Sequence, residues 1–251
     1  VSGHSKWSSI KHKKGAADAK RGQLFSKLSR AIIVAAKEGG PDPAGNLALQ
    51  NAIEKARSYS MPKDNIERAI AKASGADVEG SSFETVIYEG YGPEGVAVLV
   101  EALTDNRNRT ASEVRHLFAK HGGNLGTTGA VAWQFERKGV VLVHADGVDE
   151  DALVLVVAEA GAEDVELDGS SFVVTSAPES MSAVRAAVEA AGFTIESLEL
   201  AMVPKVSVAV ADEGVARQLI RLVEGLEDTD DVQDVYANFD IPEAVLEAVV
   251  A

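Results

Sequence analysis

Apolar residues recur along the first third of the chain at three- and four-residue intervals, the spacing of one buried face of an α-helix. Leu24, Phe25, Leu28, Ile32 and Ala36 predict a helix over about 18–38, stopped by Gly39-Gly40. Asp42-Pro43 suits the opening of a second helix that turns Leu49, Ala52, Ile53 and Ala56 inward. Pro62 opens a third, with Ile66, Ala69, Ile70 and Ala73 inward and Gly75 as its stop. A Gly/Ser/acidic linker to Ser82 follows, and the pattern then changes to short apolar runs.

Strands are expected at 86–88 and 96–102, joined by Glu89-Gly90-Tyr91-Gly92-Pro93-Glu94-Gly95. These glycines spell G-x-G-x-x-G, but a dinucleotide site needs a helix directly afterwards, and Val96, Val98 and Val100 mark a strand, so a hairpin turn is expected. Thr110 and Glu113 have capping-box spacing and predict a helix over 111–121; a polar glycine-rich loop and a strand at 130–135 follow. From Gly139 the order is strand 140–143, helix 150–160, strands 164–167 and 171–175, helix 180–190, strand 194–202. That is β-α-β-β-α-β, the ferredoxin-like split motif. A strand at 206–210, a helix over 212–226 and a strand at 232–237 remain, while segment 80–138 lacks a second helix. The ferredoxin-like unit is therefore expected to be inserted into a domain that the chain re-enters near Pro204. The fold class is α+β multidomain: an N-terminal three-helix domain over 1–77, then two α+β domains, one discontinuous over 78–138 and 204–251, the other the insert over 139–203.

Charge changes the picture. Residues 1–75 carry 14 Lys/Arg against 6 Asp/Glu, whereas residues 139–251 carry 4 against 24. The net charge of −15 thus conceals a basic end suited to polyanions. Lys6, Lys11, His12, Lys13 and Lys14 surround Trp7 with no acid until Asp18. Such an arm can neutralise phosphates, and Trp7 can stack an unpaired base for about 1–3 kcal/mol. Lys20, Lys27, Arg30 and Lys37 fall within an arc of about 100° on the first helix, continuing the arm as a basic stripe. Arg107 and Arg109 precede the helix predicted from Ala111. They suit phosphate at a positive helix end, or one of them pairs with Asp105 or Glu113 and tethers the loop. The expected contact set is Lys6, Trp7, Lys11, His12, Lys13, Lys14, Lys20, Arg21, Lys27, Arg30, Arg107 and Arg109.

Several long ungapped motifs carry a resemblance. Gly3-His4-Ser5-Lys6-Trp7, Ile10-Lys11-His12-Lys13-Lys14, Asp18-Ala19-Lys20-Arg21-Gly22, the run from Met61 to Ile70, the run from Thr104 to Thr110, and Gly122-Gly123-Asn124-Leu125-Gly126 together resemble the YebC family. The resemblance implies a helical domain followed by two α+β domains around a cleft. It also implies a cytoplasmic regulator of gene expression: bacterial members are customarily labelled probable transcriptional regulators, and a mitochondrial relative activates translation of cytochrome oxidase. Bacterial members have been placed at the ribosome too, assisting synthesis of proline-rich stretches.

Little supports catalysis. His116 and His121 are five residues apart, about 140° around a helix, unlike the one-turn spacing of a zinc helix. Asp228, Asp230, Asp231 and Asp234 lack the EF-hand pattern, because Val232 and Gln233 stand where Asp or Asn and Gly are required; they are expected to form a solvated acidic face that repels nucleic acid. The chain has no cysteine and no 18-residue apolar run. The expectation is a soluble, cytoplasmic, monomeric, non-enzymatic protein without cofactor or metal, contacting DNA or ribosomal RNA and no membrane. Its function is either a DNA-binding transcriptional regulator or a ribosome-associated translation factor; a scaffold that recruits a basic partner through its acidic domains is the third class.

Overall fold

The computed structural model describes residues 18–73 and 83–250. They fall into two compact units, one holding residues 18–73 with 137–202, the other 83–136 with 203–250.

In the first unit, α1 (Asp18–Gly39), α2 (Leu47–Ser58) and α3 (Lys63–Ala73) form the helical region. Leu28, Ile32, Leu49, Ile53, Ala56, Ile66 and Ala69 meet in its core. The second helix starts later than Asp42-Pro43 suggests. The Asp42 carboxylate accepts the Ala44 N–H at 3.0 Å and closes a 3-10 turn over Pro43–Gly45. The buried Asn46 then caps α2 by accepting the Leu49 N–H at 3.1 Å, while its amide donates to the Ala35 and Gly40 carbonyls at 2.7 and 2.8 Å. One side chain thus satisfies the end of α1 and the start of α2, orphan groups that helix termini otherwise leave unpaired.

The same unit contains β4 (Phe135–His144), α5 (Glu150–Glu159), β5 (Ala162–Asp168), β6 (Ser171–Ser176), α6 (Met181–Ala190) and β7 (Ile195–Pro204). Their sheet order, β5-β6-β4-β7, is that of the ferredoxin-like motif the pattern predicts. Register pairs Val141 with Val174 and Val143 with Phe172. These residues present one face to Leu153 and Val157 of α5 and Val184 and Val188 of α6. Each such side chain, fully buried, contributes about 1.5–3 kcal/mol. Arg185 of α6 donates to Glu54 of α2 at 2.7 Å.

The second unit is built on β1 (Glu84–Tyr91), β2 (Ala97–Thr104), β3 (Asn124–Leu125) and β9 (Val232–Ala237), in the order β3-β1-β2-β9. Strand β9 enters from the far side of the insert, which makes the unit discontinuous. β1 and β2 form the expected hairpin, in register from Glu84 opposite Thr104 to Tyr91 opposite Ala97. Val86, Tyr88, Val98 and Val100 pack against Val114 and Phe118 of α4 (Arg107–Lys120) and Leu219, Leu222, Val223 and Leu226 of α7 (Glu213–Glu227).

Three of the expected elements differ in the structure. α4 begins at Arg107, capped by Asn106, whose side chain accepts the Arg109 N–H at 3.1 Å; Thr110 is buried one turn inside, its hydroxyl committed elsewhere. The strand expected at 130–135 is a 3-10 turn over Ala132–Gln134, and β4 starts only at Phe135. The strand expected at 206–210 shrinks to β8 (Val208–Ala209), paired in parallel with β10 (Phe239–Asp240). The chain also closes with a helix not foreseen, α8 (Glu243–Val250), whose Leu246 joins the core.

Gly90 is fixed by close approach: a Cβ there would stand 2.6 Å from Cε1 of Phe118 and 2.7 Å from the Asn124 carbonyl oxygen. Gly90→Ala is expected to destabilise the second unit by about 1–3 kcal/mol through overpacking. A lower denaturation midpoint by intrinsic fluorescence checks this; an unchanged midpoint would show that the sheet gives way freely.

Candidate nucleic-acid interface

Lys6, Trp7, Lys11, His12, Lys13 and Lys14 lie outside the described residues, and at Lys20, in the first turn of α1, only the backbone is described. Arg21 is exposed and Arg30 half-buried on α1. Lys27 departs from the expected stripe, for it is only 8% exposed. α1 is covered over a wider arc than its apolar face, so a stem at position 27 is enclosed along with its neighbour Leu28.

Arg107 and Arg109 do sit at a strand-to-helix corner, but acids engage both. Arg107 stands 3.6 Å from Glu84, and the Arg109 guanidinium donates to Asp105 at 2.8 Å and Asp231 at 2.7 Å. Asp231 is buried, contrary to the solvated face expected of its cluster. Its Oδ2 also lies 2.7 Å from the Thr110 hydroxyl and 3.1 Å from that of Thr104, and the Asn106 N–H donates to the Thr104 hydroxyl at 2.9 Å. Burial pushes the Asp231 carboxyl up, but hydrogen bonds from Arg109, Thr110 and Thr104 outweigh it and hold the group below its ordinary value. Strand β2, the start of α4 and the approach to β9 are thereby tied to one carboxylate.

A second buried carboxylate organises the glycine-rich loop. Glu89 on β1 is 4% exposed and accepts the N–H groups of Gly129, Val131 and Ala132 at 2.6, 2.7 and 2.7 Å. Burial raises its pKa, and the three backbone donors overcome that and leave it lowered. Next to this clasp, Trp133 is 68% exposed, and its indole N–H donates to the Ala130 carbonyl at 3.1 Å. The Tyr91 hydroxyl donates to the same carbonyl at 2.9 Å. Trp133 is an exposed aromatic that charge and spacing do not single out; its only signal in the sequence is its place after a glycine-rich loop.

Other polar clusters do not assemble chemistry. His144 Nδ1 lies 3.1 Å from Glu196, which accepts the Ser171 hydroxyl at 2.8 Å. The serine and the imidazole thus both address the carboxylate, whereas a nucleophilic triad has the imidazole between the other two. Among the described residues no group of three or more His, Asp or Glu could hold a metal ion, and no helix is long and apolar enough to cross a membrane.

A helical N-terminal module, a discontinuous α+β module and a ferredoxin-like insert, with a strongly basic amino-terminal end, define a multidomain α+β protein. Residues 5–76 match the TACO1/YebC protein N-terminal domain, and residues 83–239 match the TACO1/YebC second and third domain. The chain belongs to the TACO1/YebC family, as its motifs anticipate. It is 59% identical over 246 residues to a probable transcriptional regulatory protein of Rubrobacter xylanophilus, and 54% identical over 247 residues to one of Desulfotalea psychrophila, each alignment covering 98% of both chains. A crystal structure of a conserved hypothetical protein from Aquifex aeolicus superposes with a TM-score of 0.80 at 51% identity, over 90% of this chain and 93% of that one.

Because both buried carboxylates have lowered pKa values, the stability they contribute is fully present above the ordinary carboxylate range and lost as pH falls through their depressed values. Glu89→Gln and Asp231→Asn are each expected to cost about 1–3 kcal/mol at neutral pH. Both should flatten the loss of stability on acidification, read from denaturation midpoints between neutral and strongly acidic pH; a parallel acid profile in both variants would refute the assignment.

Proposed function

We propose that this chain is a non-enzymatic, nucleic-acid-binding regulator of gene expression, acting at transcription. The observation that carries this is the charge asymmetry, 14 cations against 6 acids over residues 1–75 in a protein of net charge −15. An amino-terminal excess of that kind favours polyanions. The names of the Rubrobacter and Desulfotalea relatives support regulation of transcription as the level of action. In this reading Lys6, Trp7, Lys11, His12, Lys13, Lys14, Lys20, Arg21 and Arg30 supply the contact, backbone phosphates positioning the protein and Trp7 stacking. Lys27 is enclosed and stays outside the contact, and Arg107 and Arg109 serve as tethers. The folding units are taken as 1–77, 139–203, and 78–138 with 204–251, and the working form as a cytoplasmic monomer.

Ultraviolet crosslinking in cells, followed by sequencing of the attached nucleic acid, tests the level of action. Enrichment of promoter DNA is expected; enrichment of a discrete ribosomal RNA region without promoter signal would overturn the transcriptional assignment in favour of translation. In vitro, K11A/K13A/K14A is expected to weaken binding across sequences and to shallow the salt dependence by about one unit per lost phosphate contact. An unaltered slope would clear the arm of the role.

A further inference from the structure

Two cations of the second unit have acidic partners: Arg107 faces Glu84, and Arg109 faces Asp105 and Asp231. Another group lacks them. Helices α4 and α7 lie side by side, since a Cβ on Gly225 of α7 would stand 3.2 Å from Cδ2 of Leu117 and 3.9 Å from Nε2 of His121. One on Gly122 would be 3.6 Å from Oε1 of Gln218. Gln218, Arg221 and Gly225 follow one another at three- and four-residue spacing, so Arg221 stands on the side of α7 next to α4, with Arg217 one turn earlier. Along α4, Arg115, His116 and Lys120 are exposed, as are Arg217 and Arg221.

None of Arg115, Lys120, Arg217 and Arg221 has an ion-pair partner among the described residues. The acids within four residues of them on these helices, Glu113 on α4 and Glu213 and Glu224 on α7, are exposed and form no ion pair with them. Residues 139–251 hold only four Lys/Arg among 24 acids, yet two of those four, Arg217 and Arg221, stand one turn apart here. His121 registers the same field: burial first, then Lys120, Arg221 and His116, hold its imidazole below the ordinary value.

Unpaired like charges gathered on an acidic protein cost stability unless an anion meets them. Neither α4 nor α7 carries any of the exposed large apolar side chains, Leu47, Ile87, Trp133, Val154, Leu155, Leu167 and Val206, so the ridge has no anchor for a protein partner or a bilayer. A charged strip without apolar anchors fits a phosphate backbone, which guanidinium groups bind in bidentate fashion.

We infer that Arg115 and Lys120 of α4 together with Arg217 and Arg221 of α7 form a second phosphate-backbone contact, separate from the amino-terminal arm. The inference rests on the nucleic-acid reading of the protein and adds a site to it. Two contacts on one chain raise affinity through effective concentration and fix the orientation of the nucleic acid, which a single arm does not.

The test is fluorescence anisotropy of the full chain with a short duplex DNA and a single-stranded RNA as probes, across a range of salt. R115A/K120A/R217A/R221A, exposed positions all, is expected to lower affinity for the probe that binds by tenfold or more. Its log–log salt slope on the duplex should be shallower by about 3–4 units, at about 0.9 per lost contact. The charge-preserving R115K/R217K/R221K should keep most of the slope, which separates phosphate contact from altered folding. An unchanged slope in the alanine variant, with K11A/K13A/K14A still weakening binding, would overturn the ridge and leave the arm. Absence of salt-sensitive binding by the unaltered chain to either probe would overturn both.

Discussion

The second unit depends on a buried charge that is satisfied by backbone alone. Glu89 is buried on β1, the strand between β3 and β2, and an unpaired carboxylate there would cost several kcal/mol. Three N–H groups from one short segment, Gly129 to Ala132, remove that cost and in return fix the segment's conformation. That segment is the approach to β4, the strand by which the chain leaves for the insert. The place of departure is therefore set by a single side chain on a strand about 40 residues earlier.

The return is set nearby. The Lys205 N–H donates to the Gln134 carbonyl at 2.8 Å. The buried Asn238 donates to the Gln134 side chain at 3.2 Å and the Val206 carbonyl at 3.1 Å, and accepts the Ala97 N–H at 2.7 Å. Departure, return and the end of β9 are thus joined through one amide whose hydrogen-bonding groups all have partners, the condition under which a buried polar network specifies a structure rather than weakening it.

Much of this architecture was legible because it is periodic. The inward stripes of α1, α2 and α3 and the β-α-β-β-α-β order of the insert follow from spacing alone, and so does the rejection of the dinucleotide site at Gly90-Tyr91-Gly92. What spacing hid were long-range polar partners. Thr110 has the right spacing for a cap, yet Asp231, 121 residues later in the chain, claims its hydroxyl, and Asn106 takes the cap instead. Residues 130–135 alternate like a strand until Glu89 collects their N–H groups. Lys27 follows the helical stripe of cations but not their exposure. A place just before a helix singles out Arg107 and Arg109 and passes over Arg115, Lys120, Arg217 and Arg221, because position in sequence does not reveal which cations already have acids beside them.

The hydrogen bond between Lys205 and Gln134 has a consequence for how the chain is organised. To the host sheet, the seventy residues between these positions amount to a loop whose ends are already touching. Loop-closure entropy grows only with the logarithm of length, so the host is nearly indifferent to what the loop contains. Any compact module whose first and last strands emerge side by side could occupy the same port, and lengthening or exchanging the ferredoxin-like insert would leave the register of β1, β2 and β9 intact. The host thus resembles a socket, in which the insert can diverge without renegotiating the fold that carries it.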